Sequence, residues 1–120
     1  MNLGARIEEL KLLKPGWLDG TGVPPAHGGL AWLNRAFDEY YPEELPRPYL
    51  FPTPEGHVLA EWSLRPRSIT LQIDLSARSG DWHALDLVTD AEETRELDLR
   101  EPECWQWLAR RIRTYGAEVA

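Results

Sequence analysis

Residues 68–75 read Ser-Ile-Thr-Leu-Gln-Ile-Asp-Leu, an unbroken alternation of polar and apolar side chains. Successive side chains of a β-strand point to opposite sides of the sheet. The alternation therefore predicts a strand with one buried and one wet side, which is typical of an antiparallel sheet. The other elements of the fold are predicted from the sequence on either side of this strand.

Two strands are predicted before it, over residues 49–53 and 57–64. They are joined by Thr53-Pro54-Glu55-Gly56, in which Pro suits the second position of a turn and Gly the last. The short connection predicts a β-hairpin.

Two more strands are predicted after it. A turn at Ser79-Gly80-Asp81 leads into a fourth strand over residues 82–89. An acidic turn over residues 90–94 leads into a short fifth strand over residues 95–99. Hairpins that follow one another in this way predict an antiparallel meander.

Three stretches carry apolar residues at helical spacing, two before the strands and one after them. The first is predicted over residues 3–14, where Pro15-Gly16 ends it, and the last begins near Pro102. Their inner residues are Leu3, Ile7, Leu10 and Leu13; Leu30, Leu33, Phe37 and Tyr40; and Trp105, Leu108, Ile112 and Tyr115. This order predicts an α+β fold in one domain, residues 1–120, with a four- to five-stranded antiparallel sheet, two N-terminal helices and one C-terminal helix.

The composition favours an intracellular protein. The N-terminus carries charged residues where a signal peptide is apolar, and no stretch approaches the run of about 18 apolar residues that a membrane helix needs. Cys104 is the only cysteine, which excludes an internal disulfide and agrees with a reducing compartment. We expect a cytoplasmic protein that does not bind a membrane.

The negative charge is concentrated near the C-terminus. Residues 81–103 hold nine acidic and two basic side chains, and this excess equals the net charge of −7 of the whole chain. Such a segment disfavours direct binding of nucleic acid and would attract a basic protein. The alternative is a solvated surface that keeps the protein in solution.

No motif predicts catalysis, a metal or a cofactor. The three histidines and Cys104 are separated by 30, 26 and 21 residues, whereas zinc sites usually begin from a local pair of ligands. Phosphate-binding glycine loops and the nucleophile elbow of serine hydrolases are absent from the sequence. We therefore expect a protein that is not an enzyme and holds no metal or cofactor.

Two candidate sites remain. The first would bind a basic partner through the acidic segment and the loop around Trp17, although Trp17 can equally plug the end of the core. Its residues are Trp17, Asp19, Asp86, Asp90, Glu92, Glu93, Glu96 and Asp98. The second is a small-molecule or hydrolytic site on the polar side of the sheet, formed by Glu61, Gln72 and Asp74.

Three short segments stand out: Trp17-Leu18-Asp19-Gly20 with Gly22, then Leu45-Pro46-x-Pro48, and then Pro52-Thr53-Pro54-Glu55-Gly56 followed by Glu61-Trp62. They resemble a family of small uncharacterised bacterial proteins. The resemblance spans residues 12 to 110 and departs at His57, where a second glycine is expected. The family is loosely associated with toxin and antitoxin or mobile-element loci. The resemblance transfers no catalytic residue. From the localised charge and the missing catalytic motifs we expect a non-enzymatic interaction protein of antitoxin or immunity type, with an accessory subunit of a larger bacterial complex as an alternative.

Overall fold

A computed structural model describes residues 2–119 and contains three helices and five strands. The helices are α1 (Leu3–Lys11), α2 (His27–Tyr40) and α3 (Pro102–Ala117). The strands are β1 (Tyr49–Pro52), β2 (Val58–Leu64), β3 (Arg67–Asp74), β4 (Ser79–Asp86) and β5 (Glu92–Asp98).

The five strands form one antiparallel sheet in chain order, β1-β2-β3-β4-β5. In the middle strands every second residue is buried, as the alternation in residues 68–75 predicts. The buried residues share one core with the inner faces of the helices. The predicted α+β fold with a meander sheet is confirmed.

The fourth strand begins earlier than predicted, because Ser79-Gly80-Asp81 lies in β4 and not in a turn. A Cβ atom on Gly80 would lie 2.7 Å from Leu71 Cδ1, so this glycine permits close packing within the sheet. The turn lies before it, where Asp74 Oδ1 accepts hydrogen bonds from the backbone N–H groups of Ser76 and Ala77. Gly80 is thus a packing glycine, and its prediction as a turn glycine is wrong.

Three further boundaries differ from the prediction. Strand β4 ends at Asp86, not at residue 89, and strand β5 begins at Glu92, not at residue 95, because the chain turns around Asp86. The Asp86 Oδ1 atom accepts from the N–H groups of Val88 and Thr89. Helix α1 ends at Lys11, not at residue 14, three residues before the expected stop.

An aromatic pair closes the end of the core next to the chain that enters β1. Trp62 Nε1 donates to the carbonyl oxygen of Pro46 at 3.0 Å and to the hydroxyl of Tyr41 at 3.1 Å. Burial raises the pKa of Tyr41 to about 12. Both side chains are buried, which places this polar network inside the fold.

Candidate functional site

The helices pack on one side of the sheet, and the other side is turned to solvent. We call this second side the open face. It is formed by the strand residues that alternate with the buried ones, such as Glu61 in β2, Gln72 in β3 and Asp81 in β4. All three residues of the predicted sheet-face site, Glu61, Gln72 and Asp74, belong to it.

The open face is strongly acidic. Its strand residues between 49 and 98 include no lysine and no arginine, and they carry six carboxylates. These are Glu61, Asp74, Asp81, Glu92, Glu96 and Asp98. Asp74 and Asp98 also hold turns together, which leaves Glu61, Asp81, Glu92 and Glu96 as the carboxylates that are free of a turn.

Two of these carboxylates lie directly opposite each other. Asp81 of β4 pairs in register with Glu96 of β5, and its neighbour on the other side is the uncharged Gln72. Like charges directly opposite on neighbouring strands destabilise a sheet. A local arrangement that works against stability is typical of a functional surface.

The other end of the open face is aromatic. Tyr49 and Phe51 of β1 leave 56% and 41% of their surface exposed. Phe51 pairs in register with Leu59 of β2, which is half-buried. The open face thus grades from exposed aromatic side chains at β1 to carboxylates at β4 and β5.

A shallow depression of about 580 Å³ lies over β3, β4 and β5. Gln72, Asp81, His83 and Glu96 line it, whereas Glu61 and Asp74 do not. The Asp74 carboxylate is held by the turn after β3, and the N–H of Ala77 keeps its pKa below the usual range. An ionised Asp74 cannot act as a general acid, and of the three residues of the predicted small-molecule site the depression is lined by Gln72 alone.

The acidic residues that we predicted for partner binding between 86 and 98 are divided between the two sides of the sheet and the turn after β4. Asp86 holds the turn after β4, and its carboxylate lies 3.8 Å from the guanidinium of Arg67 on the helix side of the sheet. Asp90 lies in that turn with a left-handed backbone, at φ 62°. Only Glu92, Glu96 and Asp98 of the residues from 86 to 98 that we predicted for partner binding point to the open face.

Glu93 has a structural role on the helix side. Its Oε1 atom accepts from Trp82 Nε1 at 3.0 Å and from Arg111 Nε at 3.1 Å. The hydroxyl of Tyr115 donates to the same oxygen at 3.1 Å. Glu93 therefore links helix α3 to strands β4 and β5 on the helix side of the sheet, away from the open face.

Trp17 and Asp19 lie in the loop between α1 and α2, which contacts the β1–β2 hairpin, whereas β4 and β5 lie toward the opposite edge of the sheet. Their loop reaches the β1–β2 hairpin, where Val23 forms an isolated bridge with Glu55. Trp17 is half-buried, donates from Nε1 to the carbonyl of Val23 at 3.0 Å and packs on Gly22. The hairpin tip and the turn after β4 are at opposite ends of the strands, so Trp17 and Glu92 do not form one surface.

The comparisons with known proteins give no family. No protein-family model, curated protein or solved structure matches this chain. The resemblance carried by Trp17-Leu18-Asp19-Gly20 and the Pro52–Gly56 hairpin stays a prediction. The case for function depends on the open face itself.

The residue types that bind metals are scattered over the described chain. Within residues 2–119, no group of three or more His, Cys, Asp or Glu side chains is placed to hold a metal ion. None of the described helices has the length and apolar character needed to cross a membrane.

Proposed function

We propose that this protein is a non-enzymatic interaction module that binds a basic protein partner through the open face. The proposed class is that of an antitoxin or immunity protein, which acts by covering another protein. An accessory subunit of a larger complex would use the same surface.

One observation supports this proposal above the others. Asp81 and Glu96 face each other across β4 and β5, on a side of the sheet whose strand residues include no lysine or arginine. A partner that places a cation between these carboxylates relieves their repulsion when it binds. The exposed rings of Tyr49 and Phe51 supply the apolar contact that charge alone lacks.

The experiment compares capture of a partner by three tagged chains in an extract of the native host at low salt. The first is the wild type, and the second carries Asp81→Asn, Glu92→Gln and Glu96→Gln on the open face. The third is a control with Asp38→Asn, Glu39→Gln and Glu43→Gln, which removes the same charge from exposed residues outside the sheet.

We expect the wild type and the control to retain the same basic protein and the open-face variant to lose it. Mass spectrometry identifies the protein, and rising salt should elute it because exposed charges are screened beyond roughly 8 Å at physiological ionic strength. Equal retention by the open-face variant, or a wild-type chain that elutes alone at low salt, would contradict the proposal.

A further inference from the structure

The two edge strands of the sheet differ in whether their outward backbone N–H and C=O groups are covered. At the β1 edge, Arg6 Nε donates to the outward carbonyl of Leu50 at 2.9 Å, and Pro52 has no N–H to offer. Helix α1 also packs against β1. A further strand cannot pair there without displacing these groups.

The β5 edge carries outward backbone groups. Asp86 N donates to Ala91 O, and Leu99 N donates to Arg78 O, each at 2.9 Å, at the two ends of the β4–β5 ladder. Bonded pairs recur at every second residue of an antiparallel ladder, so Glu93, Arg95 and Leu97 bond to β4. The N–H and C=O groups of Glu92, Thr94 and Glu96 therefore point away from the sheet.

No described donor or acceptor covers these six backbone groups. Strand β5 is also held from the helix side, where Arg111 bonds Glu93 and the Arg95 guanidinium lies 4.7 Å from the centre of the Trp107 ring. The edge is therefore an ordered template with unpaired hydrogen-bonding groups, the arrangement that strand addition uses.

The side chains of the same residues decide which strand fits. Glu92 and Glu96 point to the open face, where Glu96 lies opposite Asp81 and the Glu92 carboxylate lies 3.8 Å from His83 Nε2. Two copies of this chain paired edge to edge would bring their own carboxylates together, which disfavours a homodimer through β5. An extended segment with lysine or arginine at alternate positions would place its cations beside these carboxylates.

We propose that the partner adds a strand to β5, with its backbone on Glu92, Thr94 and Glu96 and its basic side chains on the open face. This inference rests on the proposed function and adds how the partner is held. The backbone supplies the register, and the carboxylates select a basic sequence.

The test uses a synthetic peptide of alternating lysine and valine with blocked ends, and a matched peptide of alternating glutamate and valine. Amide hydrogen exchange is followed residue by residue by NMR at low salt. In the free chain, Thr94 and Glu96 should exchange at least about tenfold faster than Glu93 and Arg95, because only the latter bond to β4. The basic peptide should slow exchange at Thr94 and Glu96 by about tenfold or more, and the acidic peptide should not.

A pair of variants isolates the backbone. Thr94→Pro removes one outward N–H at an edge position that tolerates proline, and Thr94→Val keeps that N–H. We expect Thr94→Pro to weaken binding of the basic peptide by about tenfold relative to Thr94→Val. If Thr94→Pro does not fold, the exchange measurement on the wild type decides the question alone.

Two results would overturn strand addition. One is that the basic peptide fails to bind at low salt, and the other is that it binds without slowing exchange at Thr94 and Glu96. Neither result decides the proposed function, which the capture experiment tests separately through Asp81, Glu92 and Glu96.

Discussion

At the scale of single residues, the buried Tyr41 hydroxyl makes the stability of the fold depend on alkaline pH. Its ring is 3% exposed, and its hydroxyl donates to Pro46 and accepts from Trp62 Nε1. Burial raises the pKa of Tyr41 to about 12, above the ordinary tyrosine value of 10.0. The folded chain therefore keeps a proton that the unfolded chain loses above about pH 10.

We expect Tyr41→Phe to change how stability depends on alkaline pH. Below about pH 9 the variant should be less stable by about 0.5–1.5 kcal/mol, because it loses the hydroxyl bond to Pro46 while Trp62 keeps its own. Between about pH 10 and pH 12 the wild type should lose about 2–3 kcal/mol that the variant does not lose. Urea unfolding across this range measures the difference.

The matched control is Tyr49→Phe, which removes a tyrosine hydroxyl from a side chain that is 56% exposed. Its alkaline profile should follow the wild type. A constant difference between the wild type and Tyr41→Phe from pH 9 to pH 12 would show that Tyr41 is not the source of the loss.

At the scale of elements, the contact between helix α2 and the β3–β4 turn depends on a glycine. A Cβ atom on Gly29 would lie 2.6 Å from the Cβ atom of Leu75. Leu75 is buried, and its Cβ atom is bonded directly to the backbone. Relief of that contact must move the helix or the turn, because a Cβ atom cannot rotate away. Gly28, the residue before, has nothing within 4 Å of the same atom.

The two glycines should respond to alanine with opposite signs. We expect Gly29→Ala to lower the free energy of unfolding by about 1–3 kcal/mol through overpacking. Gly28→Ala should leave it unchanged or raise it by up to about 1 kcal/mol, because alanine is the better helix former. Urea denaturation of both variants checks the pair, and a stabilising Gly29→Ala would refute the close approach.

The turns of the sheet follow a rule that is present in the sequence but that the predicted boundaries did not use. Strands β3, β4 and β5 end at Asp74, Asp86 and Asp98, and each carboxylate accepts backbone N–H bonds from the turn after it. These bonds favour the ionised form, and the pKa of all three is lowered, at Asp98 mainly by the Arg100 side chain. Aspartate that bonds the backbone two residues on is a turn signal, and it would have placed the boundaries better than Ser79-Gly80-Asp81 did.

At the scale of the whole molecule, the carboxylates of the open face lower the stability of the free protein and favour binding of the proposed partner. The chain has a net charge of −7, and the repulsion between Asp81 and Glu96 lies where the proposed partner would bind. A single neutralised carboxylate should relieve the free protein and weaken the complex. Stability and recognition would then change in opposite directions.

We expect Glu96→Gln to raise the free energy of unfolding by about 0.2–1 kcal/mol at low salt. The gain should shrink as salt is added, because salt screens the charge that the substitution removes. Glu43→Gln is the control, since Glu43 is an exposed residue outside the sheet and has no carboxylate opposite it on a neighbouring strand. A Glu96→Gln chain that is less stable than the wild type would contradict the unfavourable pairing.

The fold class and the order of the strands follow from the sequence alone, which left four or five strands open. Residues 68–75 alternate without a break, and the inner residues of the helices recur at helical spacing, so these features depend on neighbours along the chain. The start of β4 at Ser79 was harder to predict. The sequence does not distinguish a glycine that permits close packing in a strand, such as Gly80, from a glycine that permits a turn.

Which acidic residues share a surface depends on how the strands pair in the folded chain. Side chains of a strand alternate between its two sides, so a shift of one residue in the pairing register exchanges the sides. The pairing of β5 with β4 places Glu92 and Glu96 on the open face and Glu93 beside Arg111 on the helix side. The pairing of Asp81 with Glu96 is a property of the register between two strands, and no local pattern in the sequence carries it.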